Sequence, residues 1–374
     1  MTSFALDRLQ RYPDVQAANL FAVDATDRLL LDTAADALEQ AGTGELVVIG
    51  DHYGALTLGA ADRFGTEQIR VHQDRLTGER ALAANAARFG LAGRYRSCAL
   101  EPGLFTGARV VLVQAPKSLD GLRELVELIA LDGPAGITLY LGGRIKHLSL
   151  AMNAVLAEGF TDVRAGLARQ KSRVIVATGL RPGSGELSFP RRVWHEELQL
   201  WLCAHGAAFA GPRIDLGTRR LLAELDRARP AGSAIDLGCG TGVLAAALAI
   251  ARPQLRVLAT DSSAAALASA TATMAANGIS EQVRLSRDDA LSAEPDASTE
   301  LIVCNPPFHL DNAIHDGEAM KLFGAAGRVL QPGGELWTVF NSHLDYRARL
   351  RSLVGPTELV RRDPKFMVTV STRR

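Results

Sequence analysis

The stretch SAIDLGCGTGVL, residues 233–244, joins a short apolar run to a helical one through three glycines at alternate positions. A buried strand that turns at once into a helix is the first half of an α/β unit. Alternate glycines let the chain take left-handed conformations and let a ligand approach a helix N-terminus closely. A second stretch, ELVVIGDHYGAL at 45–56, has the same layout. About 20 residues past each turn another apolar strand ends in an acid, QIRVHQD at Asp74 and LRVLATD at Asp261. Further on, VVLVQAPK (110–117) parallels LIVCNPPF (301–308), and GPAGITLYLGGRIKHLS (133–149) parallels QPGGELWTVFNSHLD (331–345). The last pair is KSRVIVAT (171–178) beside PKFMVTVS (364–371). These landmarks keep one order and stand roughly 190 residues apart.

The expected fold is therefore a duplicated α/β domain, two tandem Rossmann-like units with mainly parallel sheets and helices on both faces. Helices are expected over Ala264–Asn277, stopped by Asn277-Gly278, and over Asp316–Val329. The linker LRPGSGELSFP (180–190) separates a first domain, 1–185, from a second, 191–374. A length of 374 residues suits two domains, and 47% hydrophobic residues support two cores.

Formal net charge is zero, so no bulk field draws the protein to nucleic acid or membrane, and an acidic partner must be met by a local patch. Residues 1–87 carry 7 Lys/Arg against 13 Asp/Glu, and residues 88–185 carry 13 against 7. The cysteines Cys98, Cys203, Cys239 and Cys304 have no metal spacing, which points to a reducing cytoplasm and no metal. The start MTSFALDRLQRYPDV has no apolar signal core, and no run approaches the length of a membrane span.

The two copies differ where chemistry would sit. The second has Asp236 before Gly238, Gly240 and Gly242; the first has Val48 there, His52 and Tyr53 inside the turn, and only Gly50 and Gly54. The second has Asn305-Pro306-Pro307-Phe308 after its fourth strand, the first Gln114-Ala115-Pro116-Lys117. One copy reads as equipped, the other as degenerate.

The glycine spacing is wrong for a dinucleotide fingerprint, and no Gly-Lys-Ser/Thr follows for a phosphate loop. An acid ahead of the turn, Asp236, repels pyrophosphate but suits an ammonium group. Asp261 can accept from both hydroxyls of a ribose. Asp289 can face an adenine amine, with Asp288 next to it an open alternative. An amino acid, a ribose and an adenine without phosphate describe S-adenosyl-L-methionine. A glycine turn or a strand-end acid taken singly can also be purely structural.

After a core strand, two prolines remove backbone donors and stiffen the exit. They would hold the side-chain oxygen of Asn305 and the carbonyl of Pro306 as two preorganised acceptors for an exocyclic amine, with Phe308 stacking on the base. Such a base must be unpaired or flipped. His309 and Asp311 read as rim residues.

The ordered set DLGCGTG, Asp261, Asp289 and NPPF resembles class I S-adenosylmethionine methyltransferases. The NPPFH form, the duplication with a degenerate first half, and SHLDY (342–346) are similar to the bacterial rRNA guanine-N2 methyltransferases, and RYP, LLLDT and GDHYGAL to their large-subunit type. The resemblance implies two class I folds, the first degenerate, and methylation of guanine N2 in ribosomal RNA or a ribosomal subunit. It also implies a segment before the glycine turn that covers the methionine end of the cofactor, with Thr218 its candidate. The first domain is expected to bind RNA or support its partner. Its cations are Arg88, Arg94, Arg96, Lys117, Arg144, Lys146, Arg164, Arg169, Lys171 and Arg173. A cytoplasmic monomer is expected. Competing readings are adenine-N6 or protein glutamine-N5 methylation, which share Asn-Pro-Pro loops, and a non-catalytic RNA-binding assembly factor.

Overall fold

The structure is a computed structural model that describes residues 4–14, 20–183, 185–307 and 313–374, with backbone only at 313–316. Its contacts divide the chain into Met1–Phe189 and Pro190–Arg374. Each unit holds a seven-stranded sheet among the described residues.

The first sheet comprises β1 (Leu46–Ile49), β2 (Ile69–His72), β3 (Tyr95–Ser97), β4 (Val110–Gln114), β5 (Thr138–Arg144), β6 (Phe160–Ala165) and β7 (Ser172–Leu180). Their order is β3-β2-β1-β4-β5-β7-β6, and only β7 pairs antiparallel, with both β5 and β6. The second unit opens on a hairpin, β8 (Arg191–His195) and β9 (Leu200–Ala204). Its sheet comprises β10 (Ser233–Leu237), β11 (Arg256–Asp261), β12 (Val283–Arg287), β13 (Thr299–Cys304), β14 (Leu330–Asn341), β15 (Thr357–Arg362) and β16 (Phe366–Thr372). The order β12-β11-β10-β13-β14-β16-β15, with β16 antiparallel, repeats the first sheet strand for strand. The duplicated Rossmann-like architecture is as expected.

Strict alternation along the central strands explains the two cores of each sheet. Ile235 and Leu237 of β10 face one core with Ile302, Leu336 and Phe340, while Ala234 faces the other with Leu301, Val303, Trp337 and Val339. In the first unit Val48 joins Leu112 and Val71 on one side, and Val47 joins Val111 and Leu139 on the other. Both faces being buried, these strands read as unbroken apolar runs.

Helix Ala264–Ala276 ends at Asn277, with Gly278 left-handed at φ 68°, as the Asn-Gly pair predicts. The helix expected to begin at Asp316 begins at Ala313. The hairpin lies beside helix Ala264–Ala276. Ser269, Thr273 and Asn277, four residues apart on one helix face, satisfy the backbone of β9 and the residue after it. Ser269 Oγ accepts from His205 N at 2.9 Å, Thr273 Oγ1 from Cys203 N at 3.1 Å, and Asn277 Oδ1 from Trp201 N at 2.9 Å. A strand edge that would be open is closed by side chains.

Register corrects one pairing of the repeats. Leu237 pairs with Thr260 and Ile49 with His72, so the counterpart of Asp261 is Gln73, and Asp74 lies one residue beyond.

Candidate active site

The site is built at the carboxyl ends of β10, β11 and β13, where open α/β sheets take ligands. Between β10 and helix Val243–Ala251, Gly238, Gly240 and Gly242 all have positive φ, 76°, 54° and 80°. Their reasons differ. A Cβ on Gly238 or Gly240 would meet nothing within 4 Å, so both line open space. A Cβ on Gly242 would stand 2.6 Å from Met274 Cε and 3.1 Å from Ala270 Cβ, so this glycine serves helix packing.

Asp261 shapes the turn from the next strand. Its Oδ2 accepts from Gly240 N at 3.0 Å and its Oδ1 from Ser263 N at 2.9 Å. Asp236 is wholly buried beneath the turn. Its Oδ2 accepts from Ala245 N at 3.0 Å, capping the helix, while its Oδ1 has no hydrogen-bond partner among the described residues. Burial above all, with the nearby Asp261 charge adding to it, pushes the Asp236 carboxyl up to about 7. An unsatisfied carboxylate oxygen under an open glycine cradle fits a ligand that brings a cation and hydroxyl groups and no phosphate. The fit to S-adenosylmethionine rests on that donor set.

Asp288 and Asp289 now separate. Asp288 accepts from Ser292 Oγ and from Ala293 N (3.2 Å), which ties its carboxylate into the turn after β12. Asp289 instead pairs with Lys321 Nζ at 2.5 Å. Cys239 is buried and its thiol is pushed well up by burial, which keeps it from acting as a nucleophile.

Asn305 and Pro306 follow β13 directly. Asn305 is half-buried, and its Nδ2 donates to Asp215 Oδ2 and to Thr218 Oγ1, both at 2.9 Å. Asp215 is the N-cap of helix Leu216–Leu222 and accepts from Gly217 N at 2.7 Å and Thr218 N at 3.3 Å. Thr218 also donates its hydroxyl to Asp215. The structure thus brings Thr218 to Asn305 and adds Asp215, which the sequence reading did not single out. Phe308, His309 and Asp311 lie outside the described residues; Pro307 is exposed.

The first unit has the same frame with the site filled. Val48 sits in the core where the second copy has Asp236, so capping passes to Asp51 inside the turn. Asp51 is buried and accepts from Gly54 N (3.2 Å), Leu56 N (3.1 Å) and Thr57 N (2.7 Å); burial raises its carboxyl above the ordinary range. Gln73 turns its amide onto the carbonyls of Asp51 and His52, and Tyr53 donates to Asp14 at 2.6 Å with the Arg11 guanidinium 4.5 Å from its ring.

Two family models match the chain, an RLMG N-terminal domain over residues 1–180 and a methyltransferase small domain over residues 199–370. Proteins named ribosomal RNA large subunit methyltransferase G match along nearly the whole length. That of Streptomyces coelicolor is 34% identical, covering 96% of each chain, and that of Pseudomonas aeruginosa strain PAO1 is 34% identical, covering 98% of this chain and 97% of its own. The chain belongs to the ribosomal RNA large subunit methyltransferase G family. Membership agrees with the expected rRNA guanine-N2 methyltransferase group. Among solved structures, the T. thermophilus 16S rRNA N2 guanine methyltransferase in complex with AdoMet and guanosine superposes with a TM-score of 0.71 at 20% identity, covering 92% of each chain. That likeness extends the family's fold to both units. Among the described residues no helix is long and apolar enough to cross a membrane, and no three His, Cys, Asp or Glu side chains gather as a metal site.

Proposed function

We propose that the protein methylates the exocyclic N2 of a guanine in large-subunit ribosomal RNA, with S-adenosylmethionine as donor. The enzyme class and cofactor follow from the family; the target atom and the residue roles are our reading of the site. The observation that carries it is the half-buried Asn305 after β13, its amide nitrogen tied to Asp215 and Thr218, in the same unit as an open glycine turn.

Bound in the second unit, the cofactor supplies an electrophilic methyl on a sulfonium. The turn glycines Gly238 and Gly240 admit it, Asp236 balances its ammonium end, Asp261 takes the ribose hydroxyls and Asp289 meets the adenine amine. Thr218, at the segment that covers the methionine end, contributes through Asn305. The guanine amine is a weak nucleophile because its lone pair belongs to the ring. Asn305 Oδ1 and the Pro306 carbonyl accept its two hydrogens and favour a tetrahedral nitrogen, with Pro307 stiffening the loop and Phe308 stacking on the base. When bound, the cofactor would supply its sulfonium methyl to that nitrogen and leave as the thioether, and the surplus proton on the amine would pass to water. An extruded or unpaired base is required.

The first unit, its turn closed by Asp51, Tyr53 and Gln73, serves RNA binding or support through cations such as Lys117, Arg144 and Lys171. A cytoplasmic monomer acting without metal is consistent with this reading. The test is transfer of tritiated methyl from the cofactor to undermodified rRNA. Label in large-subunit RNA supports the reading. Label confined to small-subunit RNA, to DNA or to a release factor overturns the substrate, and absence of cofactor binding turns the protein into an assembly factor.

A further inference from the structure

An asparagine amide has an accepting end and a donating end, and only the accepting end helps an amine react. The surroundings of Asn305 decide which end is free. Its Nδ2 stands 2.9 Å from Asp215 Oδ2 and 2.9 Å from Thr218 Oγ1, two acceptors side by side, so the donating end of the amide faces them. A carboxylate only accepts, and the Thr218 hydroxyl hydrogen is already given to Asp215, so both neighbours present lone pairs. A flipped amide would set its oxygen against a carboxylate oxygen. The polarity of the bracket, independent of any assignment of amide atoms, turns Oδ1 away from it.

The space beside that oxygen is kept by Gly217. A Cβ there would stand 3.1 Å from Asp215 Oδ1, 3.3 Å from Asn305 Oδ1 and 3.4 Å from Phe366 Cε1, crowding the capping carboxylate and the amide oxygen together. Gly217 has no positive φ, so its backbone does not demand glycine.

The first unit carries a related contact, made by one acid of its capped helix, without the room. Asp24 caps helix Ala25–Thr33, and Asp27 Oδ1 accepts from Gln114 Nε2 at 2.5 Å, Gln114 being the register counterpart of Asn305. Thr26 stands where the second copy has Gly217, and its hydroxyl meets Ser172 at 2.9 Å. A bracket that only held the fold would need no glycine; the glycine goes with the open turn.

We propose that Asp215 and Thr218 are positioning residues that hold the Asn305 amide with its oxygen turned away from them as an acceptor, that Gly217 keeps that oxygen approachable, and that together they select a target atom bearing hydrogens, an exocyclic amine, over a carbonyl or an unprotonated ring nitrogen. This rests on the reading that Asn305 meets the target amine. The experiment uses the full chain with tritiated cofactor and undermodified rRNA. It compares Asp215→Asn, Thr218→Val, Thr218→Ser, Gly217→Ala, Asn305→Ala and the exchange pair Asp215→Asn/Asn305→Asp. Asp215→Asn and Gly217→Ala are each expected to lower kcat by about 30-fold or more while cofactor Kd stays within about threefold. Asp215→Asn should add nothing to Asn305→Ala, because both act through one amide. The exchange pair, which swaps donor and acceptor but leaves an oxygen outward, should regain about tenfold over Asp215→Asn, and Thr218→Ser should exceed Thr218→Val by a similar factor. If Asp215→Asn fails to fold, the two Thr218 variants and Gly217→Ala carry the test. An Asn305→Ala enzyme that is dead beside fully active Asp215→Asn or Thr218→Val overturns the bracket alone. A fully active Asn305→Ala overturns the methyl-transfer reading and the bracket with it.

Discussion

Gly240→Ala separates a glycine kept for a ligand from one kept for packing. Gly240 sits at φ 54° with nothing within 4 Å of where a Cβ would stand, so the folded chain has room for the new methyl. Its cost is the left-handed backbone, about 1–2 kcal/mol, offset in part by the stiffer unfolded chain. A net loss near 1 kcal/mol lowers the melting temperature of a unit this size by about 2–4 °C. The same methyl fills the cradle under the proposed cofactor, and losing about 2 kcal/mol there raises Kd about 30-fold. Gly242→Ala is the opposite case: its Cβ would lie 2.6 Å from Met274 Cε, so overpacking of about 1–3 kcal/mol adds to the backbone cost and falls on stability. Calorimetric titration with S-adenosylmethionine and thermal melts of both variants give the two numbers. A Gly240→Ala protein that binds the cofactor within about threefold of the parent would refute the assignment of that space.

Three further outcomes follow from the same geometry. Asn305→Ala should lower kcat by about a hundredfold or more with cofactor Kd unchanged, read by single-turnover methyl transfer and titration. Burial raises the Asp236 carboxyl to about 7, so its charge, and its attraction for an ammonium group, grows as pH rises through 7: cofactor Kd should fall from pH 6 to 8 and become flat in Asp236→Asn. The stability term of the same group has the opposite sign, present in acid and lost as pH rises from the ordinary carboxylate range, 3.8, to about 7. Asp51→Ala strips three backbone donors of their buried acceptor and should destabilise the first unit by about 2–3 kcal/mol in urea unfolding, whereas Cys239→Ala at the matching place should cost little.

Features set by backbone were legible in the sequence. The duplication, the glycine turn and the Asn-Pro-Pro exit each need particular residue types at fixed local spacing, and the central strands, buried on both faces, show as apolar runs. Features set by long-range side-chain contacts were not. Asp215 and Asn305 meet across 90 positions, and nothing near either residue announces the other. A signal did exist in the repeat DATDRLLL (24–31) and DLGTRRLL (215–222), which marks the capped helix in both copies and the exchange of Asp27 for Thr218. The closure of β9 by Ser269, Thr273 and Asn277 reads in sequence as an ordinary polar helix face. Gln73, not Asp74, answers Asp261 because strand register, not the nearest matching letter, fixes the counterpart.

The most direct measurement identifies the methylated nucleoside. Undermodified large-subunit rRNA, incubated with the protein and labelled cofactor and digested to nucleosides, should carry its label as N2-methylguanosine. Label in a ring-nitrogen product would contradict the account of how Asn305 and Pro306 meet an exocyclic amine, and label in N6-methyladenosine would contradict guanine as the base that carries it.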